Sequence, residues 1–179
     1  MKKYFSATLI FCLVIVVISC SQQEDNKSQT QPASRPSVPV QAGEVQIGTQ
    51  VWMTKNLNVS RYRNGDPIPQ VTDPTQWANL TTGAWCYYND DSANGSVYGK
   101  LYNWYAVNDP RGLAPNGWHV PSTNEYITLT SFLGGDAIAG GKLKTTSLWN
   151  SPNVGATNSS GFSGLSGGYC TNFSYAYMG

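Results

Sequence analysis

"PNGWHVPSTNEY", residues 115–126, carries the one histidine of the chain, His119, and its clearest helix start. Ser122-Thr123-Asn124-Glu125 has the form of a capping box. In that arrangement the serine hydroxyl accepts from the amide three residues on, and the glutamate carboxylate accepts back from the serine amide. Pro121 holds Val120 extended, because a residue before proline is excluded from the helical region. After the cap, Tyr126, Leu129, Phe132 and Leu133 recur at helical spacing, which predicts a helix presenting all four to a core. Gly134 then supplies a left-handed stop. Ser122 and Glu125 therefore read as structural capping residues, and Glu125 as a cap rather than a general base. His119 reads as a packed or edge-exposed side chain between Trp118 and Val120. The sequence offers it no second histidine, no H-x-x-x-H spacing and no nucleophile turn. No catalytic residue, metal ligand or cofactor is expected.

Outward from this stretch, "EVQIGTQVWM" (44–53) alternates Val45 and Ile47, reverses at Gly48-Thr49, and resumes with Val51 and Met53. That is a hairpin with a two-residue turn. "NGDPIP" (64–69) is a turn cluster. Asp73 is placed to cap a short helix with Pro74 at its first position. "GAWCYY" (83–88) reads as a buried aromatic strand, "NDDSANGSVYG" (89–99) as a loop, and "KLYNWYAVN" (100–108) as a helix turning Leu101, Tyr105 and either Trp104 or Tyr102 inward. Asp136 is expected to cap a helix that ends at Gly140-Gly141. The remainder reads as Asn/Ser/Gly turn chemistry anchored by Leu148, Trp149, Phe162 and Leu165.

Upstream, "MKKYFSATLIFCLVIVVISC" begins with two lysines and has an apolar run from Leu9 to Ile18. A spanning helix needs roughly 20 apolar residues, and this run has the size of a signal-peptide core. Val17-Ile18-Ser19-Cys20 resembles a bacterial lipobox. Residues 1–19 are therefore expected to be a lipoprotein signal peptide, and Cys20 the lipidated first residue of the mature chain. Residues 20–43, rich in Pro, Ser and Gln, lack the apolar surface to offset ordering entropy and read as a disordered linker. These features place the protein in the cell envelope, lipid-anchored at the outer membrane or cell surface. From Glu44 onward, four Lys and three Arg face eight acids. A near-neutral domain lacks the phosphate-neutralising surface on which nucleic-acid binding rests.

Several segments in order are "IGTQVWMTKNLNV", "WCYYNDDSANGSVYGKLYNWYAV", "RGLAPNGWHVPSTNEYITLTSFLGG", "AGGKLK" and "WNSPNVGATNSSGFSGLSGGY". Over residues 44–179 the chain resembles the Fibrobacter succinogenes major paralogous domain, common in lipoproteins of Bacteroidetes and Fibrobacteres. The W-H-V-P-S-x-x-E core is also similar to the W-R-L-P-T-x-x-E signature of formylglycine-generating-enzyme-like domains, which have a C-type-lectin-like fold. The resemblance implies an α+β domain of two short helices, small antiparallel sheets and long loops. Family members usually run on to a Trp-Trp-Ser-Ser stretch and a last strand, so the chain is expected to be C-terminally truncated. Because terminal strands pair in lectin-like folds, loss of that strand should leave the 45–53 hairpin partly unpaired. Ala114 and Cys170 stand where many members have other residues, so the family's cysteine pairing does not transfer.

Cys86 and Cys170 are the two thiols of the domain and can pair in an oxidising compartment. The alternative is that Cys86 has its partner in the absent segment. Asp90 to Gly95 mimics the start of a calcium loop, but Leu101 stands where a bidentate glutamate is required, so a solvated turn is expected. Trp77, Trp85, Trp104, Trp118 and Trp149 are candidates for stacking on sugar rings, most of them expected in the core. The expected function is a surface-anchored, non-enzymatic binding or adhesion module for a glycan or a protein. The alternatives are an extracytoplasmic enzyme of the formylglycine-generating class and an inactive truncated remnant.

Overall fold

The computed structural model describes residues 18–19, 41–171 and 174–179. Cys20, most of the signal segment and the linker up to residue 40 lie outside the described residues. The architecture is the expected mixed α+β with small antiparallel sheets, but the described residues form five α-helices rather than two.

The largest sheet begins at β1 (Ile18–Ser19). It continues with the expected hairpin of β2 (Glu44–Ile47) and β3 (Gln50–Met53), turning at Gly48 with φ +62°. That left-handed turn residue suits glycine, which lacks the Cβ that would clash. The sheet order is β2-β3-β1-β6, where β6 is Trp118–His119. The 45–53 hairpin was expected to be partly unpaired, and β2 is indeed an edge of the sheet. On the β3 side Ile18 pairs with Trp52 and, across from it, with His119, and Ser19 with Val51 and Trp118. An extended backbone with open donors and acceptors is a template for any strand within reach. Ile18–Ser19, which take that place here, lie in the 1–19 segment expected to be removed, so this pairing belongs to the uncleaved chain.

Two helices cover this sheet. α4 (Thr123–Phe132) starts at the capping box, and α5 (Asp136–Leu143) follows after two residues of positive φ, Gly134 and Gly135. They bury Ile47, Trp52, Leu129, Leu133, Ala139 and Phe162 together. The Trp52 ring lies 5.3 Å from Tyr126 and 5.6 Å from Phe162, both tilted. One of the four positions expected inside is not: Phe132 is 65% exposed. Measured around the helix from Leu129, Tyr126 and Leu133 lie about 40–60° to one side and Phe132 about 60° to the other. The core stripe centres on the first pair, and Phe132 swings out over Gly48, where an added Cβ would stand 3.0 Å from its ring. α5 also departs from expectation. Asp136 is in the first turn rather than at the cap, and the helix runs through Gly140 and Gly141. A Cβ on Gly141 would meet the Gly155 carbonyl at 2.3 Å, so the glycine serves a close approach inside the helix instead of ending it.

The second half of the core is built differently. Two-residue strands β4 (Trp85–Cys86) and β5 (Leu101–Tyr102) pair antiparallel. Around them, loops bury Leu57, Tyr62, Ile68, Leu113 and Ala114, and the one-turn helix that follows β5 adds Ala106. Side chains stitch these loops to distant main chain. Trp85 Nε1 donates to Ile68 O at 2.8 Å, Tyr102 Oη to Val59 O at 2.6 Å, and Arg63 to Ala114 O at 3.1 Å and Trp118 O at 2.9 Å. α1 (Pro74–Ala78) begins as expected, with Asp73 accepting from the Gln76 amide at 2.6 Å.

The stretch read as a loop is a helix, α2 (Ser92–Tyr98), capped by Asp91, which accepts from the Ala93 amide at 2.8 Å. Small polar residues with a central glycine are poor helix formers. Packing overrides that preference, because Gly95 sits under Tyr87, whose ring an added Cβ would meet at 2.0 Å. The helix expected from residue 100 starts later, as α3 (Trp104–Val107), with Asn103 as its cap. Tyr102 is buried from β5 instead and Leu101 is half-buried, while Trp104 and Tyr105 are 67% and 45% exposed. In the C-terminal third Phe162 is buried as expected and Leu148 is 50% exposed. A hairpin of β7 (Gly167–Thr171) and β8 (Ser174–Met178) replaces the expected loop. It docks on the 3-10 turn Tyr88–Asp90 through Tyr175, 5.1 Å from the Tyr88 ring.

Candidate functional site

Strand β6 delivers His119 beside the start of α4, and there the histidine finds the partner that the sequence reading did not supply. Its Nε2 lies 2.7 Å from Glu125 Oε1, with both side chains about one-third exposed or less buried than the core. The other carboxylate oxygen accepts from the Ser122 amide at 2.7 Å and the Ser122 hydroxyl at 2.8 Å, and the Glu125 amide donates to Ser122 Oγ at 3.4 Å. The capping box is complete on both sides. Desolvation works to raise the Glu125 carboxyl, but hydrogen bonds from the Ser122 amide and hydroxyl and from His119 outweigh it, so its pKa falls below the ordinary value. The group is thus held as a carboxylate, and Nε2–H is the donor.

Serine, carboxylate and imidazole share one small cluster, but in the order Ser122–Glu125–His119. A hydrolytic triad needs the imidazole between nucleophile and carboxylate, so that it takes the hydroxyl proton. Here the carboxylate is in the middle and the serine donates to it. The arrangement pins the Pro121 corner to the sheet edge: a helix cap with a second arm.

The groove beside it has different chemistry. The β2–β3 turn and the outer face of α4 enclose an open depression of about 550 Å³. Gln46, Ile47, Gly48, Thr49, Gln50, Thr128 and Phe132 line it, none of them charged. Gln46 Nε2 donates to Gly48 O at 3.2 Å and Gln50 Nε2 to Glu125 O at 3.1 Å, which orients both amides. Gln50 Oε1 is buried with no hydrogen-bond partner among the described residues. Such an acceptor costs free energy unless something donates to it. Phe132 supplies an exposed aromatic surface at the rim. Sequence reading missed this groove because its two walls are 75 residues apart at the Gln50–Glu125 contact, and no local pattern joins them.

Of the five tryptophans considered for stacking, Trp85 is buried, Trp77, Trp118 and Trp149 are half-buried, and Trp104 is exposed. Trp149 is tied down by donating to Gly164 O at 3.0 Å. The structure brings Cys86 and Cys170 together, both buried and both as thiols. A hydrogen bond to Cys170 and then burial push the Cys86 thiol up. Asp90 ends the 3-10 turn, and Asp91 to Gly95 form the cap and first half of α2 rather than a solvated turn. Among the described residues, no group of three or more His, Cys, Asp or Glu is placed to hold a metal. Among them also, no helix is long and apolar enough to cross a membrane. Cys20, the lipidation candidate, lies outside the described residues.

The family model of the Fibrobacter succinogenes major domain matches residues 45–179. No curated protein and no solved structure matches the chain.

Proposed function

The chain belongs to the Fibrobacter succinogenes major domain family, and from that premise we propose that it is a lipid-anchored surface protein whose domain binds glycans without catalysing a reaction. The observation that carries this reading is the uncharged groove, with amides and hydroxyls on its walls and the Phe132 ring at its rim. A sugar ring presents the complementary chemistry. Its hydroxyls pair with Gln and Thr, and its apolar C–H face rests on an aromatic ring. A charged ligand would find no counter-charge there. The Ser122–Glu125–His119 order supports a scaffold rather than a reactive centre. The lipobox at Cys20 and the polar linker support display at the outer membrane or cell surface. A C-type-lectin-like arrangement, in the manner of the formylglycine-generating-enzyme-like domains, is the finer fold reading we attach to this α+β architecture.

The test is equilibrium binding of the purified full chain to an array of neutral bacterial and plant glycans. Binding is expected, and Phe132→Ala should weaken it on the order of tenfold, about 1.4 kcal/mol, while the melting temperature hardly moves because Phe132 is 65% exposed. Silence across the array, or binding indifferent to Phe132→Ala and Thr128→Val, would remove the glycan reading. Capture of a protein ligand through the same two residues would replace it. The anchor is tested apart: mass spectrometry of the mature N-terminal peptide should find Cys20 as its first residue with acyl chains attached, and an unmodified Cys20 still preceded by residues 1–19 would remove the lipid attachment.

A further inference from the structure

Cys86 lies in β4 and Cys170 in β7, two elements 84 positions apart that no sheet hydrogen bond connects. Both are at the bottom of one packed seam. Cys86 is 0% and Cys170 4% exposed, β7 packs on the 3-10 turn two residues past Cys86, and the neighbouring Cys170 thiol helps keep the Cys86 thiol protonated. The backbone is drawn in tightly around them. Two residues before Cys170, Gly168 approaches the Tyr88 ring so closely that a Cβ there would stand 2.5 Å from it. Opposite Cys170 in the hairpin register is Tyr175, whose ring packs on Tyr88 at 5.1 Å. A two-stranded hairpin is marginal in water by itself, and β8 carries Tyr177 78% exposed. This seam holds one side of β7–β8 to the domain, and Gly179 at the other end lies against Asn150.

We propose that Cys86 and Cys170 form an intramolecular disulfide that locks the C-terminal hairpin to β4. The oxidant is a small-molecule or protein disulfide, reached by thiol–disulfide exchange while the hairpin is undocked. The Cys170 thiolate attacks the external disulfide, forms a mixed disulfide and releases one thiol. The Cys86 thiolate then attacks the Cys170 sulfur and releases the second. Two protein thiols give up two protons and two electrons, and one external disulfide becomes two thiols. Once the hairpin docks, burial keeps other thiols away from the bond. In the cell, this oxidation rests on the envelope location proposed above, since such bonds persist in oxidising compartments.

The experiment traps thiols with N-ethylmaleimide in cells making the full chain, digests the protein without reductant and maps peptides by mass spectrometry. The expected result is a Cys86 peptide joined to a Cys170 peptide, two hydrogens lighter than the separate pair and free of maleimide. Reduction should lower the melting temperature by roughly 5–15 °C. In parallel, the full chain is refolded from urea in a glutathione redox buffer. Linkage there but maleimide on both residues in cells supports the pair and overturns the envelope location. Maleimide on both residues in both arms, or linkage of either to Cys12, Cys20 or a second chain, overturns the proposal. The mapping uses the unmutated chain, so a cysteine variant that fails to fold does not affect it.

Discussion

The two halves of the core reach similar burial by opposite routes. Under the β2–β3 hairpin, the core is made of side chains on regular elements: Trp52 from a strand, Leu129 and Leu133 from α4, Ala139 from α5. Around β4 and β5, it is made of side chains on loops, and long-range hydrogen bonds from Trp85, Tyr102 and Arg63 to remote carbonyls take the place of secondary structure. The first half should fail through lost packing. The second should fail through lost polar contacts, with the apolar surface barely changed.

The largest effect expected from this contrast is at Trp52, which is 0% exposed. Trp52→Ala should cost about 3–5 kcal/mol in denaturant unfolding, from lost burial plus the cavity left between Tyr126 and Phe162. A loss under 1 kcal/mol would mean that the hairpin and helices are not one core. In the other half, Tyr102→Phe keeps the ring and removes only the hydroxyl that donates to Val59 O at 2.6 Å. It should cost about 1 kcal/mol, because a half-buried carbonyl loses its donor. An unchanged midpoint would break the comparison, since the loops would then be held by apolar packing alone.

The smallest effect sharpens the joint between the halves, where the capping box meets β6. Ser122→Ala should cost about 1 kcal/mol. It should also change the pH response. The folded pKa of Glu125 is below its ordinary value. Between the two values the unfolded chain therefore binds more protons, and stability rises with pH through that window. The contribution is complete above the ordinary carboxylate value, about 4.3, and is lost as pH falls through the folded one. Ser122→Ala removes the hydroxyl donor, moves the folded value back up and flattens this acid limb. Equal limbs in both proteins would show that His119 and the Ser122 amide hold the carboxylate without the hydroxyl.

Legibility in the sequence followed the same division. The capping box at Ser122 and Glu125, the turn at Gly48-Thr49 and the Asp73-Pro74 helix start were readable because each is a contact among residues within four positions of one another. The same local logic misplaced Phe132, where the spacing fits a helix but the stripe turns away, and it missed α2, which exists because Tyr87 packs on Gly95. Of the candidate site, Phe132 and the glutamines were visible only as residues. Their meeting in one groove depends on where α4 lands on the hairpin turn.

By itself, the sequence determined the helix caps, the hairpin, the aromatic weight of the core, the near-neutral charge and the lipobox-like start, because these are set by residue type and short-range sterics. Only the tertiary structure decided that Ile18–Ser19 fills the space between β3 and β6, that His119 meets Glu125, and that Cys86 meets Cys170. Each of the three comes from how the elements dock. Docking is chosen by the summed burial of many side chains, and no single stretch of chain encodes that sum.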